Sequence, residues 1–231
     1  MNTLDATRFY LYGPVHKGLR ALMADTLLRF GSLDVEDPAQ FREACDQALG
    51  MLELLRSHVD HEDEHIHPLL ERCRAGAAGQ AGREHVEHRR VLAELAEKVR
   101  GLLAAPSYPA ADALYQGFAK LMAENLEHMR LEDIDYQNLL WEHCTDAELM
   151  ELDARVVASI PPKEMMLYLC WMLPAMSPPQ RLRLMLGLRA QAPSTVQVAV
   201  SRLAQQHLPE TAWHRLVEDV EKVEGAPRAA G

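Results

Sequence analysis

The sequence predicts an all-α protein in which an up-and-down four-helix bundle is followed by a smaller C-terminal helical domain. Apolar residues recur at spacings of three and four, which is the period of an amphipathic helix. No stretch alternates between polar and apolar residues, and β-branched residues are sparse, so we expect no strands. Prolines and small residues divide the chain into segments of helical length. We place the two domains at residues 1–145 and 146–231.

The first two helices of the expected bundle begin at prolines. Helix one is predicted from about Pro14, because proline is favoured in the first turn, to about Gly31. Helix two is predicted from about Pro38 to Arg74. One stripe of helix two changes from apolar residues to residue types that bind metals, in this order: Met51, Leu54, Leu55, His58, Glu62, His65 and Leu69. A polar site inside the bundle is therefore expected half-way along this helix.

The third and fourth helices follow stretches of small residues or proline. The segment AGAAGQAG predicts a turn, and the helix after it carries on one face His85, His88, Val91, Leu92, Leu95, Val99 and Leu102. The segment APSYPAAD predicts a second loop. The fourth helix, from about Ala110 to Cys144, carries on its inner side Leu114, Phe118, Leu121, Met122, Asn125, His128, Glu132 and Tyr136.

Beyond Asp146 histidines and acidic clusters give way to leucine, methionine and proline. Prolines divide this region into short amphipathic helices, which we expect at about 146–159, 162–173, 178–191, 194–207 and 209–223. Its methionines are interpreted as core packing. The alternative is an adaptable surface for a protein partner or for a homodimer.

Composition excludes several classes of function. The formal net charge of −10 argues against nucleic acid, which needs clustered Lys and Arg. The nearest approach to a membrane span, MMLYLCWMLPAM, is interrupted by proline, and the N-terminus has no apolar signal region, so a cytoplasmic protein without membrane contact is expected. The four cysteines form no CxxC pair, which argues against a thiolate zinc site or a redox dithiol.

The candidate site rests on two His-x-x-x-Glu pairs, His58 with Glu62 and His128 with Glu132. Residues four apart lie on the same face of a helix, so each pair presents an imidazole and a carboxylate to one point in the bundle. The other two helices supply one imidazole each, His16 and His88. Buried polar groups of this kind are costly unless they are compensated, and cations would compensate them. Nitrogen and oxygen donors without thiolate favour iron or manganese, with zinc as a further candidate.

Four segments in this order, GPVHKGLR, HVDHEDEHIHPLLE, EHVEHRRVLAEL and EHMRLEDIDYQNLL, resemble the hemerythrin family in its bacterial hemerythrin-like (HHE cation-binding) form. The resemblance covers about residues 10–145 and implies a four-helix bundle with two non-haem iron ions. It implies that Glu62 and Glu132 bridge the two ions. The ligands that it implies are His16, His58, Glu62, His88, His128 and Glu132.

Two departures from the family pattern leave alternatives open. Oxygen-carrying members have a second histidine four residues before the third-helix ligand, where this chain has Glu84, and the extra histidine here is His85. Their last carboxylate corresponds to Asp133, but we favour Glu132 because it shares the face of His128. His85 and Asp133 are therefore alternative ligands. His61 and His65 lie within one turn of the His58–Glu62 pair and are further alternative or neighbouring ligands.

Three functions fit a hemerythrin-like site, and binding or sensing of dioxygen, nitric oxide or peroxide is favoured because six protein ligands over two metal ions leave an open position. The second is a di-iron enzyme of oxidative or nitrosative stress defence, acting in peroxide or nitric oxide reduction or in iron–sulfur repair. The third is an iron-responsive regulatory protein that acts through its C-terminal helices. No separate nucleophile or acid–base group is visible, and the sequence leaves open whether the chain is an enzyme.

Overall fold

The computed structural model describes residues 8–225. The first few residues of the expected N-terminal domain and the last few of the expected C-terminal domain lie outside this range. Within this range the chain is helical and has no strand, which confirms the predicted all-α class. None of the helices in this range is both long and apolar enough to cross a membrane.

Two of the long helices continue through a π-helical turn into a short helix. The elements of the first two thirds of the chain are α1 (Gly13–Gly31), α2 (Pro38–His61), π1 (Glu62–Ile66), α3 (His67–Cys73), α4 (Gly79–Ala104), α5 (Tyr108–Leu131), π2 (Glu132–Tyr136) and α6 (Gln137–His143). The remaining helices are α7 (Asp146–Ser159), α8 (Pro162–Ala175), α9 (Pro178–Gln191), α10 (Ser194–His207) and α11 (Glu210–Gly225). These bounds lie close to those predicted from the prolines.

Local sequence signals explain several helix starts. The side chain of Asp37 accepts hydrogen bonds from the backbone N–H groups of Ala39 (2.9 Å) and Gln40 (3.1 Å), and proline follows Asp37 in the first turn of α2. Thr145 and Glu148 form a capping box at the start of α7. These caps satisfy backbone donors that have no partner within the helix.

Helices α1, α2, α4 and α5 pack around a common interior that is apolar at both ends and polar between them. α1 contacts α2 and α5, and α4 contacts the same two helices. One apolar cluster includes Leu22, Phe30, Leu55, Leu92, Leu102, Phe118 and Leu121. The other includes Tyr12, Ile66, Leu70, Ala81, Tyr136, Leu140 and Leu149. On each of the four helical stretches the histidines and glutamates fall between these clusters, so the polar groups are enclosed by apolar packing on both sides.

Helix α8 packs along α1 and connects the C-terminal helices to this core. A Cβ atom at Gly18 would lie 3.0 Å from the backbone nitrogen of Met172, so α8 approaches α1 at a position without a side chain. Tyr168 belongs to the first apolar cluster, and its hydroxyl donates a hydrogen bond to the carbonyl of Leu54 at 2.8 Å. A third cluster joins α8 to α9, α10 and α11. The domain boundary at residue 145 stays a prediction.

Candidate metal centre

Two groups of buried histidine and glutamate side chains meet between the two apolar clusters. The first group is His16, His58, Glu62 and Glu132, and the second is Glu62, His85, His128 and Glu132. In each group the ligand atoms lie within 4.8 Å of one another. Because both glutamates belong to both groups, we call the six residues together the His/Glu centre.

Glu62 divides its carboxylate oxygens between the two groups. Its Oε1 lies 3.2 Å from His58 Nε2 and 3.6 Å from His16 Nε2. Its Oε2 lies 3.5 Å from His85 Nε2, on the other side of the centre. One oxygen therefore faces each pair of imidazoles, which is the arrangement of a carboxylate that bridges two cations.

Glu132 repeats this division from the opposite helix. Its Oε2 lies 3.5 Å from His16 Nε2 in the first group. Its Oε1 lies 3.1 Å from His128 Nε2 and 3.7 Å from His85 Nε2 in the second group. The two carboxylates thus stand between the two pairs of imidazoles.

The donor atoms are arranged as ligands around cations rather than as hydrogen-bond partners of one another. All four carboxylate oxygens of Glu62 and Glu132 are buried and make no hydrogen bond within the described residues, which is costly for an acceptor away from water. The two Nε2 atoms of each imidazole pair also face each other, at 3.2 Å for His16 and His58 and 2.9 Å for His85 and His128. Ligand atoms about 2.1 Å from one ion and 90–110° apart are about 3.0–3.4 Å from each other. The observed separations of 2.9–3.7 Å agree with that geometry.

Carboxylates outside the centre orient the imidazoles. Nδ1 of His16 donates to Asp133 at 2.9 Å, and Asp133 is paired with Arg20 at 2.6 Å. Nδ1 of His128 donates to Glu84 at 2.7 Å. A proton held on Nδ1 leaves the Nε2 lone pair free to face the interior, which is how ligating histidines are commonly held.

Asp63 holds His85 in the same way, with Nδ1 of His85 at 2.7 Å from its Oδ1. The same oxygen lies 2.8 Å from His67 Nδ1, and Asp63 also pairs with Arg89. Asp63, His67 and His85 are close enough to hold a cation. The guanidinium of Arg89 already neutralises this carboxylate, so we assign Asp63 to positioning His85.

Without cations the centre holds protons. Burial lowers the pKa of His16, but the hydrogen bond to Asp133 and the negative charges of Asp133, Glu62 and Glu132 together outweigh it and raise this pKa to about 9. For His128 the effect of burial is likewise outweighed by Glu132, Glu62 and Glu84 together, and the pKa rises to about 9. Burial, and then the charge of Glu132, raises the pKa of Glu62. Cations that bind here therefore compete with protons.

Five of the six ligands predicted from the sequence lie in the centre, namely His16, His58, Glu62, His128 and Glu132. The remaining imidazole of the second group is His85, whereas His88 lies beside it, with its ring 4.7 Å from the ring of His128 in an edge-on arrangement. The two histidines are three residues apart on α4, so both face inward, but His85 is fully buried and its Nε2 lies 2.9 Å from His128 Nε2. The assignment of ligands stays a prediction.

Two of the alternative ligands, His61 and His65, lie outside both groups. His61 Nδ1 is 3.3 Å from the hydroxyl of Ser57, and His65 Nε2 is 3.1 Å from the hydroxyl of Ser159. Asp133, a further alternative, orients His16 from outside the centre.

The role of Asp63 and the two π-helical turns were not predicted from the sequence. Both His-x-x-x-Glu pairs are followed directly by aspartate, and in each case this aspartate holds Nδ1 of a histidine on another helix. Both turns begin at the glutamate, with the backbone N–H of His67 bonded to the carbonyl of Glu62 and that of Gln137 to the carbonyl of Glu132. π-turns are frequent at functional sites. The Glu-Asp pair that occurs in both motifs is the sequence feature that could have indicated these roles.

An all-helical chain that encloses two histidine–glutamate groups able to hold metal ions is a helical metal-binding protein. The family model described as hemerythrin HHE cation binding domain matches residues 13–140, which is more than half of the chain. The chain therefore belongs to the hemerythrin HHE cation-binding family. No curated protein and no solved structure matched in the corresponding comparisons.

Proposed function

We propose that this protein holds two non-haem iron ions in the His/Glu centre, within a four-helix bundle, and that it binds or senses dioxygen or a related small oxidant such as nitric oxide or peroxide. The observation that carries the proposal is the pair of buried carboxylates whose four oxygens have no hydrogen-bond partner among residues 8–225 and are divided between two pairs of imidazoles. Membership of the cation-binding family supports it.

In this proposal His16 and His58 would hold one ion, His85 and His128 the other, and both glutamates would bridge them. Nitrogen and oxygen donors without thiolate suit iron, while manganese and zinc are the competing metals. Bound iron would supply reversible redox change and an open position for a small diatomic ligand or peroxide.

The residues around the centre would exclude water from it and hold its ligands in position. The fully buried ring of Tyr12 stacks on His16 with centroids 5.3 Å apart, and the two apolar clusters close both ends. Asp133, Glu84 and Asp63 would hold protons on Nδ1 of their histidines, so that each Nε2 stays available.

Elemental analysis of protein purified without chelator, with an ultraviolet–visible spectrum before reduction, after reduction and after return to air, tests the proposal. We expect about two irons per chain and a near-ultraviolet absorption that bleaches on reduction and returns in air. Absence of metal after anaerobic reconstitution with ferrous iron would overturn the proposed centre. Stable occupancy by zinc or manganese, with ferrous iron unable to displace it, would overturn the assignment of iron.

A regulatory role is the second candidate, because the C-terminal helices contact the two helices that carry the first imidazole pair. α8 touches α1 at Gly18 and α2 through the hydrogen bond of Tyr168 to Leu54. Ser57, which precedes His58, donates a hydrogen bond to Glu164 of α8. Metal occupancy could thus change the position of α8. Residues 146–231 would transmit that change to a protein partner or to a second copy of the chain.

Limited proteolysis of metal-free and metal-loaded protein tests this second candidate. We expect cleavage in and around α8 to slow when the metal is bound, because binding to the folded form alone stabilises it. Identical cleavage rates in the two forms would contradict the regulatory role and would leave the metal centre itself unaffected.

A further inference from the structure

Two cysteine thiols lie next to each other although they are 71 residues apart in the sequence. The Sγ atoms of Cys73 and Cys144 are 3.9 Å apart, both residues are half-buried, and both are free thiols. Cys45, which is fully buried, and Cys170 have no cysteine neighbour of this kind within residues 8–225. The absence of a CxxC pair in the sequence argued against a redox dithiol, and the Cys73–Cys144 pair arises only from the fold.

Each of these cysteines stands at the end of a stretch that carries one bridging glutamate. We call residues 58–73 the first arm and residues 128–144 the second arm. Each arm consists of a His-x-x-x-Glu pair, a π-turn and a seven-residue helix, with the cysteine at the end of that helix. Cys73 is the last residue of α3, and Cys144 is the C-cap of α6. α3 packs against α6, so the ends of the two arms meet.

The geometry points to a reversible dithiol–disulfide pair: we propose that Cys73 and Cys144 exchange with low-molecular-weight disulfides and, when oxidised, tie the two arms together. A disulfide needs the sulfur atoms about 2 Å apart. Side-chain rotation at two helix ends, where the backbone is least constrained, supplies the approach.

The exchange proceeds in two balanced steps. The thiolate of one cysteine attacks a sulfur of the small disulfide, whose S–S bond breaks, and the released thiolate takes up the proton that the cysteine lost. The second cysteine then attacks the sulfur of the first, releases a second small thiol and closes the protein disulfide. The protein loses two electrons and two protons, and the small disulfide is reduced to two thiols.

The surroundings of the pair make this exchange slow at neutral pH. Burial, and then the neighbouring Cys73, raises the pKa of the Cys144 thiol to about 11. Because the thiolate is the reacting form, the exchange is expected to accelerate as the pH rises toward that value. Equilibrium measurements therefore belong at mildly alkaline pH.

The test is a redox titration of the full-length protein with mixtures of reduced and oxidised glutathione, in the absence of air. The free thiols are then blocked, and the disulfide is located by peptide mass mapping. We expect a Cys73–Cys144 disulfide whose effective concentration in the folded protein is about tenfold or more above its value in the denatured chain, which is on the order of millimolar for a flexible connection. An effective concentration no higher than in the denatured chain, or only mixed disulfides with glutathione, would overturn the proposal.

Matched variants identify the pair. The double substitution Cys45→Ser with Cys170→Ser is expected to leave the titration unchanged, whereas Cys73→Ser and Cys144→Ser are each expected to abolish the intramolecular disulfide. Persistence of an intramolecular disulfide in either single variant would refute the assignment. If a single variant fails to fold, the peptide map of the unmodified chain still decides which cysteines pair.

The consequence for the His/Glu centre rests on the proposed function. Tying the arms together should hold both glutamates in place, so we expect iron to pass to a strong chelator several-fold more slowly from the disulfide form than from the dithiol form. Equal rates would refute the link between the arms and the centre. The glutathione titration does not depend on bound metal, so failure of the di-iron proposal would leave its result intact.

Discussion

Replacing His85 or His88 by alanine distinguishes the ligand set of the structure from the one favoured by the sequence. His85 Nε2 lies 2.9 Å from His128 Nε2, 3.5 Å from Glu62 and 3.7 Å from Glu132, so it faces the second group directly. His88 belongs to neither group, and its ring lies edge-on to the ring of His128 with centroids 4.7 Å apart. His85→Ala should therefore weaken the second ion, and His88→Ala should not.

The size of the effect follows from the number of donors. The second group has four contributing side chains, and four-ligand structural sites bind their ion with about 10–16 kcal/mol, or about 3 kcal/mol for each donor. Loss of one imidazole is thus expected to weaken the second ion by about 100-fold or more. The first group keeps all four of its side chains, so its affinity should change by much less.

A competition titration against a chelator, with elemental analysis after desalting, measures both effects. We expect His85→Ala to retain about one ion per chain where the unmodified protein and His88→Ala retain about two. Far-ultraviolet circular dichroism checks that both variants remain helical. If His88→Ala lost an ion and His85→Ala retained both, the structural assignment would be refuted and the ligand set favoured by the sequence would stand.

Three further perturbations test the surroundings of the centre. The pKa of His16 and that of His128 are each about 9 in the metal-free protein, so each group must release one proton to bind its ion, and the apparent affinity for each ion should rise by up to about tenfold per pH unit near neutrality. An affinity independent of pH, in titrations at several pH values, would contradict this. Gly18→Ala should lower the free energy of unfolding by about 1–3 kcal/mol in urea denaturation, because its Cβ would meet the α8 backbone. Gly101→Ala, in open space on α4, should raise that free energy by about 0.5–1 kcal/mol, and equal effects would exclude tight α1–α8 packing. Asp133→Asn should weaken the first ion by about 10–100-fold in the chelator titration, with the second ion as internal control, and unchanged affinity would show that Asp133 does not position its histidine.

The features that the sequence determined by itself depend only on residues that are close together in the chain. Apolar spacing and the positions of Pro14, Pro38 and the C-terminal prolines predicted the helices, because helical period and proline geometry depend on neighbouring residues only. The same helical period predicted that the two residues of each His-x-x-x-Glu pair lie on one face of their helix.

Only the tertiary structure decided which groups from different helices meet. His85 and His88 both face inward on α4. Apolar packing against α2 and α5 sets the rotation of α4 and its position along the helix axis, and this brings His85 rather than His88 into the second group. The same is true of the Cys73–Cys144 contact and of α8 on Gly18. Each of these contacts joins residues far apart in the chain, and no local period carries that information, because the packing of whole helices sets their relative positions.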